Sequence, residues 1–282
     1  MATALGMVAA GRGLRTIVAE VAARDDVSRA LGTDPSGRET EDRLGEQLHH
    51  ISIDPQAALE EYLTEQLPAG FLADVLARSR VFAYLAAATP GLRELLTVGK
   101  VWELAQEARR TPGGRPYDLV VLDAPATGHG VAILEAPRTF AEAARVGPVH
   151  RHGRTIDAML SDPDRTGVVA VARPEEMPVN ETLSLQDALR ERMGLPLSLV
   201  VANGVLPDRY GADEAATLEE HRERPAVAVA LAARETARAQ RAQLDRLRRG
   251  VDAPLVRLPF VFAPALGHEA LGELAGGLEH AF

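Results

Sequence analysis

Residues 117–130 read YDLVVLDAPATGHG, and this stretch decides how the rest of the chain is interpreted. A short apolar run, Leu119 to Leu122, ends in Asp123, and small residues, a proline, a threonine and glycines follow. The run is too short for a helix and rich in Val and Leu, which predicts a buried strand of a parallel sheet. In open α/β sheets, ligands bind at the carboxyl ends of the strands. A carboxylate there, beside a Gly/Thr loop, is typical of a Mg²⁺-nucleotide site; a turn or helix-capping aspartate is the alternative.

The composition is that of an ordinary globular protein. The chain has 282 residues, of which 46% are hydrophobic and 25% charged, with a net charge of −9. Both signs of charge are interspersed, so no nucleic-acid partner is expected. The absence of cysteine excludes disulfides, thiolate zinc sites, Fe–S clusters and cysteine nucleophiles. No apolar run is long enough for a transmembrane segment, and the amino terminus is a poor signal peptide, so we expect a cytoplasmic protein.

Strand patterns and helix patterns alternate along the chain. The strands are expected at residues 14–21, 48–53, 117–123, 167–173, 197–203 and 254–260. This alternation predicts the α/β fold class, with a mostly parallel sheet covered by helices on both faces. Residues 55–111 contain only helical spacing, so we expect a helical subdomain inserted between strands, within a single domain of residues 1–282. Residues 33–47 are polar and predict a surface loop.

Three further stretches contain candidate site residues. Thr127, Gly128 and His129 in the loop after Asp123 have the hydroxyl and backbone N–H groups with which switch loops sense a γ-phosphate. Asn203 follows a buried strand in VVANGVLP (200–207), where its amide has the donor and acceptor that read a purine edge. A turn-forming Asn before Gly is the alternative.

The last predicted strand ends in Pro259 and Phe260, which are placed to pack against an adenine ring; ordinary loop packing is the alternative. The stretch PEEMPVNETLSL (174–185) is dense in polar residues between a strand and a helix. The histidine pairs of the chain lack further ligands at metal spacing, which favours packed or solvated histidines.

Together these motifs resemble the ArsA-type deviant P-loop ATPases, which include the arsenite-pump ATPase and the tail-anchored-protein-targeting ATPase. DAPATGHG resembles the switch II of that family, and VVANGVLP its adenine-reading strand. PEEMPVNET resembles its A-loop, with Glu181 at the glutamate position. PGLRELLTVGKVWEL (90–104) is similar to its helical subdomain, and LPFVFAPALG to its base-packing loop. The chain is most similar to the paired actinobacterial members.

The resemblance implies a Mg²⁺-ATP-driven dimer that opens and closes, either a homodimer or a heterodimer with a paralogous ATPase. It implies that Asp123 organises Mg²⁺ and the attacking water, and that Asn203 reads adenine. The carboxylate that the family places before switch I falls near Glu20, with Asp25 as the rival because EVAARDD departs from the usual pattern. A hydrophobic protein client of the inserted helices stays open.

One departure from the family pattern is large. No G-x-x-x-x-G-K-[ST] occurs in the sequence, and its one GK pair, Gly99–Lys100, lies in a predicted helix. The chain begins, by this comparison, within the helix that follows the phosphate loop. We therefore expect either a truncated gene start or a real loss of the loop. In both cases the strand of Asp123 is expected beside a gap or an abnormal pairing, and this chain alone is expected to bind and hydrolyse ATP weakly.

Two functions from different classes follow. The first is an ATPase subunit whose nucleotide cycle moves the inserted helices. The second is a catalytically inactive partner or scaffold of an intact paralogue. A dinucleotide oxidoreductase fits less well, because the GRG at 11–13 precedes a strand and does not follow one. Without cysteine, no arsenite-thiolate site is predicted.

Overall fold

A computed structural model describes residues 1–21, 25–34, 37, 39–66, 89–111, 113–125 and 130–279. The chain divides into two compact units. The amino-terminal unit comprises Met1–Thr166 and Leu266–Ala275, and the second unit comprises Gly167–Ala265 together with the chain from Gly276. None of the helices in the described ranges has both the length and the hydropathy needed to cross a membrane.

The amino-terminal unit contains a four-stranded sheet and most of the helices. Its strands are β1 Thr16–Val21, β2 Asp42–Arg43, β3 Leu48–Ile53 and β4 Leu119–Asp123. Its helices are α1 Ala2–Gly11, α2 Asp26–Ala30, α3 Pro55–Gln66, α4 Leu92–Leu104, α5 Gly130–Ala144 and α6 Pro148–Leu160. The strand order is β2-β3-β1-β4, with β1 parallel to both β3 and β4, and β2 antiparallel to β3.

Strand β1 is buried on both faces, as its uninterrupted apolar sequence predicts. On one face Ile17 and Ala19 pack with residues of β3 and α4. On the other face Val18 packs with β4 and α1. Helix α1 approaches very closely there, because a Cβ on Gly6 would lie 2.6 Å from the Val18 side chain. A glycine is therefore required at this helix–strand contact.

The second unit contains a three-stranded parallel sheet of order β5-β6-β7. Its strands are β5 Val169–Ala172, β6 Leu199–Val205 and β7 Leu255–Pro259, and its helices are α7 Glu176–Met193, α8 Ala212–Glu219 and α9 Pro225–Gly250. Helix α10, His268–Glu279, ends the described chain. Gln186 of α7 ties this unit together by donating to the Gly250 carbonyl and accepting from the Asp252 amide, at 3.1 and 2.9 Å.

The observed elements confirm the predicted α/β class and all six predicted strands to within two residues at each end. Among the described strands, β4 pairs only with β1 and lies at an edge of its sheet. Residues 33–47 were wrongly expected to be entirely loop, because Asp42 and Arg43 pair with His50 and His49. The helices expected between residues 67 and 88 lie outside the described residues.

A buried ion network joins the residues just before β2 and β4 to the end of α4. The Arg109 guanidinium, fully buried, bonds to Glu103 at the end of α4 at 2.9 Å and to Glu41 beside β2 at 2.5 Å. Tyr117, just before β4, donates to the Glu41 carboxylate at 2.7 Å. Burial raises the pKa of Glu103, but its bonds to Arg109 outweigh this and hold that pKa below its usual value. Burial and the bond to Glu41 raise the pKa of Tyr117.

Replacing Arg109 by Met should lower the free energy of unfolding by about 3–5 kcal/mol, because two buried carboxylates lose their shared cation. Arg190→Met is the matched control, because Arg190 pairs with Asp252 while 57% of its side chain stays exposed, and exposed pairs contribute about 0–1 kcal/mol. Denaturant unfolding of both variants measures the difference. Equal losses would show that the Arg109 network adds nothing beyond an ordinary surface pair.

Candidate functional site

Polar side chains form a row across the carboxyl ends of three parallel strands in the amino-terminal unit. The strand register pairs Glu20 of β1 with Ser52 of β3 and with Asp123 of β4. Residues in register on neighbouring strands project from the same face of a sheet. Glu20 and Ser52 are buried, whereas Asp123 is exposed at the end of its strand. The row therefore contains one solvent-exposed carboxylate, that of Asp123, beside two buried polar residues, Glu20 and Ser52.

The Glu20 carboxylate begins a buried hydrogen-bond chain that reaches helix α2. Its Oε2 lies 2.8 Å from His50 Nε2, and His50 Nδ1 lies 2.9 Å from the hydroxyl oxygen of Ser28. An ionised carboxylate only accepts, so His50 Nε2 donates to Glu20; in the neutral ring, Nδ1 then accepts from Ser28. The same carboxylate oxygen accepts the Val27 amide at 3.0 Å. The chain thereby anchors α2 to strands β1 and β3.

These bonds determine the charge state of Glu20. Burial raises the pKa of its carboxyl group, but the bonds from His50 and from the Val27 amide outweigh burial and hold that pKa below its usual value. Glu20 was predicted to be catalytic; the structure places it 2% exposed and bonded to His50. Its rival Asp25 is half-buried, immediately before α2. Both assignments stay predictions.

The predicted phosphate-sensing loop begins directly after Asp123. Ala124 and Pro125 are exposed, and helix α5 begins at Gly130. Thr127, Gly128 and His129 lie outside the described residues, so their predicted role stays a prediction. What the structure describes is the strand end that leads into this loop.

In the second unit, a bulge brings the predicted adenine-contacting residues together. Ala202 pairs with Arg257 and Val205 with Pro259, so β6 has one more residue than β7 between these pairs. Gly204 lies in the bulge with a φ of 76°, a left-handed conformation that favours glycine. A Cβ at this position would lie 3.9 Å from the Phe260 ring. The Phe260 amide donates to the Val205 carbonyl at 2.9 Å. Asn203, Pro259 and Phe260 thus meet at the end of one strand pair.

Aromatic and cationic side chains border this bulge. Phe260 and Phe262 are 44% and 64% exposed. Their ring centroids lie 4.8 Å apart, and the two rings pack edge to face. The Arg209 guanidinium lies 4.9 Å from the Phe262 ring centroid. Buried Gln240 of α9 fixes the backbone, accepting the Leu206 amide at 2.8 Å and donating to the Gly204 carbonyl at 3.2 Å. Two exposed rings beside an amide can stack on a planar heterocycle.

Glu181, predicted to contact nucleotide, lies elsewhere in this unit. It is exposed on α7, whose buried positions Val179, Thr182 and Gln186 face β5 and α9. The structure therefore places Glu181 on the solvent side of a helix, and its assignment stays a prediction.

Several site residues were not predicted from the sequence. His50 and Ser28 form the chain to Glu20; Phe262, Arg209 and Gln240 surround the bulge. The alternation of His50 and Ser52 along β3, on the face of Glu20, was a usable signal. For Phe262, the F-V-F spacing at 260–262 was a comparable signal.

The family model and the known proteins that this chain resembles are all described as ATPases. A family model described as Anion-transporting ATPase matches residues 1–151 and 143–230. ATPase BagA of Mycobacterium tuberculosis is 29% identical over 213 residues, which are 73% of this chain and 61% of BagA. The arsenical pump-driving ATPase of Escherichia coli is 30% identical over 106 residues, 32% of this chain and 18% of that protein. The chain thus spans about three fifths of the length of BagA.

The Glu20 bonds predict a pH dependence of stability. A carboxyl group whose folded-state pKa is lowered stabilises the fold above its unfolded pKa, and this contribution is lost as pH falls through the folded value. The stability advantage of the wild type over Glu20→Gln should therefore be constant at neutral pH and shrink below about pH 4.5, the usual glutamate pKa. Denaturant unfolding between neutral and acid pH measures it, with exposed Glu46→Gln as control. An advantage that grows on acidification would contradict the assignment.

Proposed function

Since the chain belongs to the anion-transporting (ArsA-type) ATPase family, we propose that it works as a Mg²⁺-dependent ATPase subunit. The observation that carries the proposal is the exposed Asp123 carboxylate at the aligned carboxyl ends of parallel strands. Ligands of open α/β sheets bind at this edge. The names of the relatives, ATPase BagA and arsenical pump-driving ATPase, support the same reaction class.

The residues present fit a magnesium site of the usual kind. Mg²⁺ in phosphoryl-transfer proteins is held by one or two carboxylates, water and the phosphates of the substrate, not by an all-protein cage. Asp123 supplies one carboxylate that solvent reaches. When bound, the ion neutralises charge on the phosphates. Asp123 would hold the ion through its carboxylate oxygens or through a bound water, and orient the attacking water by accepting a hydrogen bond.

The proposal gives Glu20 a positioning role. Its carboxylate, buried and bonded to His50 and the Val27 amide, holds the first turn of α2 against the strands. Asp25, the residue immediately before α2, is thereby held close to the ends of these strands. This arrangement supports Asp25 over Glu20 as the group that reaches solvent and substrate.

Adenine recognition is proposed for the bulge of the second unit. The Asn203 side chain has one acceptor and two donors, which match the amino group and a ring nitrogen of adenine. Phe260 and Phe262 offer exposed ring faces for stacking. The dimer, its opening and closing with nucleotide, and a hydrophobic client of residues 55–111 belong to the same proposal.

A second function is favoured by one feature of the sequence. The 282 residues contain no G-x-x-x-x-G-K-[ST], and Lys100, which follows Gly99, is bonded to Glu61 inside a helical layer. Backbone N–H groups and a lysine normally hold the β- and γ-phosphates. The alternative is therefore a scaffold subunit that pairs with an intact paralogous ATPase.

Replacing Asp123 by Asn should lower the ATP hydrolysis rate of the native protein, purified from its source cells, by about a hundredfold or more, because an activating carboxylate is lost. Asp252→Asn is the control, because it removes an exposed carboxylate paired with Arg190. Steady-state phosphate release measures both. A recombinant protein of these 282 residues should hydrolyse ATP weakly by comparison.

The outcomes separate the two functions. An unchanged rate in Asp123→Asn rejects the assigned role of Asp123. Hydrolysis that arises only after an intact paralogous ATPase is added, and that is insensitive to Asp123→Asn, favours the scaffold subunit.

Replacing Asn203 by Ala should weaken ATP binding by about tenfold, corresponding to about 1.4 kcal/mol, and reduce the preference for ATP over GTP. Both effects arise because the amide that matches the adenine edge is lost. Thr217→Ala, at an exposed position of helix α8 in the same unit, is the control. Equilibrium titration with a fluorescent ATP analogue, competed by GTP, measures the change. Equal affinities of both variants for ATP would exclude Asn203 from base recognition.

A further inference from the structure

Four of the described helices of the amino-terminal unit line a partly open cavity of about 250 Å³. Helix α4 contributes one continuous face, from Leu92 through Leu96 and Gly99 to Trp102. Helices α3, α5 and α6 complete the walls with Leu59, Phe140 and Ile156 among others. Most of the wall is apolar. The cavity belongs to no part of the nucleotide chemistry proposed above.

Gly99 leaves part of this space empty. A Cβ on Gly99 would meet no atom of the described residues within 4 Å, although Gly99 lies in the interior of α4. By contrast, Gly153 on the opposite wall is required for packing, because a Cβ there would lie 2.7 Å from the Pro137 carbonyl oxygen. A glycine inside a helix is less favourable than an alanine, because it loses more backbone entropy on folding. Since protein interiors are normally filled, unused space beside an unneeded glycine points to an occupant.

One end of the cavity is polar and built around an ion pair. Lys100 Nζ, with a side chain only 7% exposed, bonds to both carboxylate oxygens of Glu61 at 3.1 and 2.8 Å. Glu61 and Glu103 both line the cavity. A carboxylate has about four acceptor positions, and Lys100 uses two of those of Glu61. A second ammonium group can therefore bond to the same carboxylate.

Among the residues that the structure describes, carboxylates outnumber cations at this end. Glu39, Glu61 and Glu103 lie 3.9, 2.8 and 4.0 Å from the Lys100 ammonium. Arg109 compensates Glu103 but is shared with Glu41. Two cations thus face four carboxylates, and counting Arg110, which lines the cavity beside Trp102, still leaves one carboxylate in excess.

The pKa of Glu39, one of these carboxyl groups, is shifted mainly by burial. Burial, together with the neighbouring carboxylates of Glu61 and Asp54, raises the pKa of Glu39 despite the nearby Lys100. A further cation at this end of the cavity would relieve the repulsion among these groups.

We propose that this cavity binds a small hydrophobic amine, with the apolar part between α3, α4, α5 and α6 and the ammonium group bonded to Glu61. The apolar part contacts Trp102, Phe140 and Leu96, and the charged group occupies the acidic end. A cavity of about 150 Å³ holds benzene; by proportion, this one holds about ten non-hydrogen atoms. The ligand class is an aryl- or alkylamine of that size.

Three probes with one skeleton and different head groups test the proposal: phenylbutylamine, phenylbutanol and phenylbutyrate. Isothermal titration of the full chain should show the amine binding at least about tenfold more tightly than the alcohol, with the carboxylate weakest. In Glu61→Gln the advantage of the amine over the alcohol should fall several-fold, while the affinity for the alcohol changes little. This comparison isolates the charge of Glu61 from the shape of the cavity.

Gly99→Leu fills the cavity from inside α4 and should abolish binding of the amine. Gly272→Leu is the matched control, because Gly272 also lies within a helix, α10, where a Cβ meets no atom within 4 Å. It should bind the amine as the wild type does, and thermal unfolding verifies that both variants fold.

Equal affinity for all three probes, or binding of none of them, overturns the proposal. So does amine binding that survives Gly99→Leu. An apolar helical peptide that binds in a manner sensitive to Gly99→Leu, while the amine does not bind, would assign the cavity to a protein partner instead. None of these results depends on ATP hydrolysis, so the proposed ATPase function can fail while this inference stands.

Discussion

The parallel pairing of β1 with β3 and β4 is the constraint on which the amino-terminal unit depends. Its register places Ser52, Glu20 and Asp123 in one row, two residues beyond the buried positions of the same strands. A shift of a strand by one residue would turn its member of this row to the opposite face, where the neighbouring side chains are mostly aliphatic. The apolar residues that pack against α1 and α4 therefore also determine where a reacting group can be positioned.

Much of this fold was predictable because most of its strands are short runs rich in Val, Leu and Ala with polar flanks. Leu119–Asp123 and Leu199–Val205 are examples: their composition alone distinguishes them from the helices. The position of Asp123 followed from the strand, since the carboxyl ends of parallel strands share one edge. Asn203 and Phe260 were predicted separately, and the structure shows them at the same strand pair.

Features that rest on contacts between distant segments were not predictable. His50 gains its role only because α2 packs over β1, where Ser28 and Glu20 reach its two ring nitrogens. The bulge at Gly204 depends on the pairing with β7, about fifty residues later in the chain. The cavity requires the relative placement of four helices, and the spacing of α4 alone indicated only an amphipathic helix. In each case local pattern identifies the element, and packing determines its chemistry.

The ion network around Arg109 has a consequence for how this protein can be recombined with its relatives. Its members come from three separate stretches: Glu41 beside β2, Glu103 at the end of α4, and Tyr117 before β4. Exchanging one of these stretches alone would remove one partner from a buried polar group of the network. A chimera that imports the helical segment of another family member must therefore carry matching groups at all three stretches. The helices between β3 and β4 form a continuous stretch of sequence. Their link through Arg109 to Glu41 and Tyr117 nevertheless couples them to the sheet.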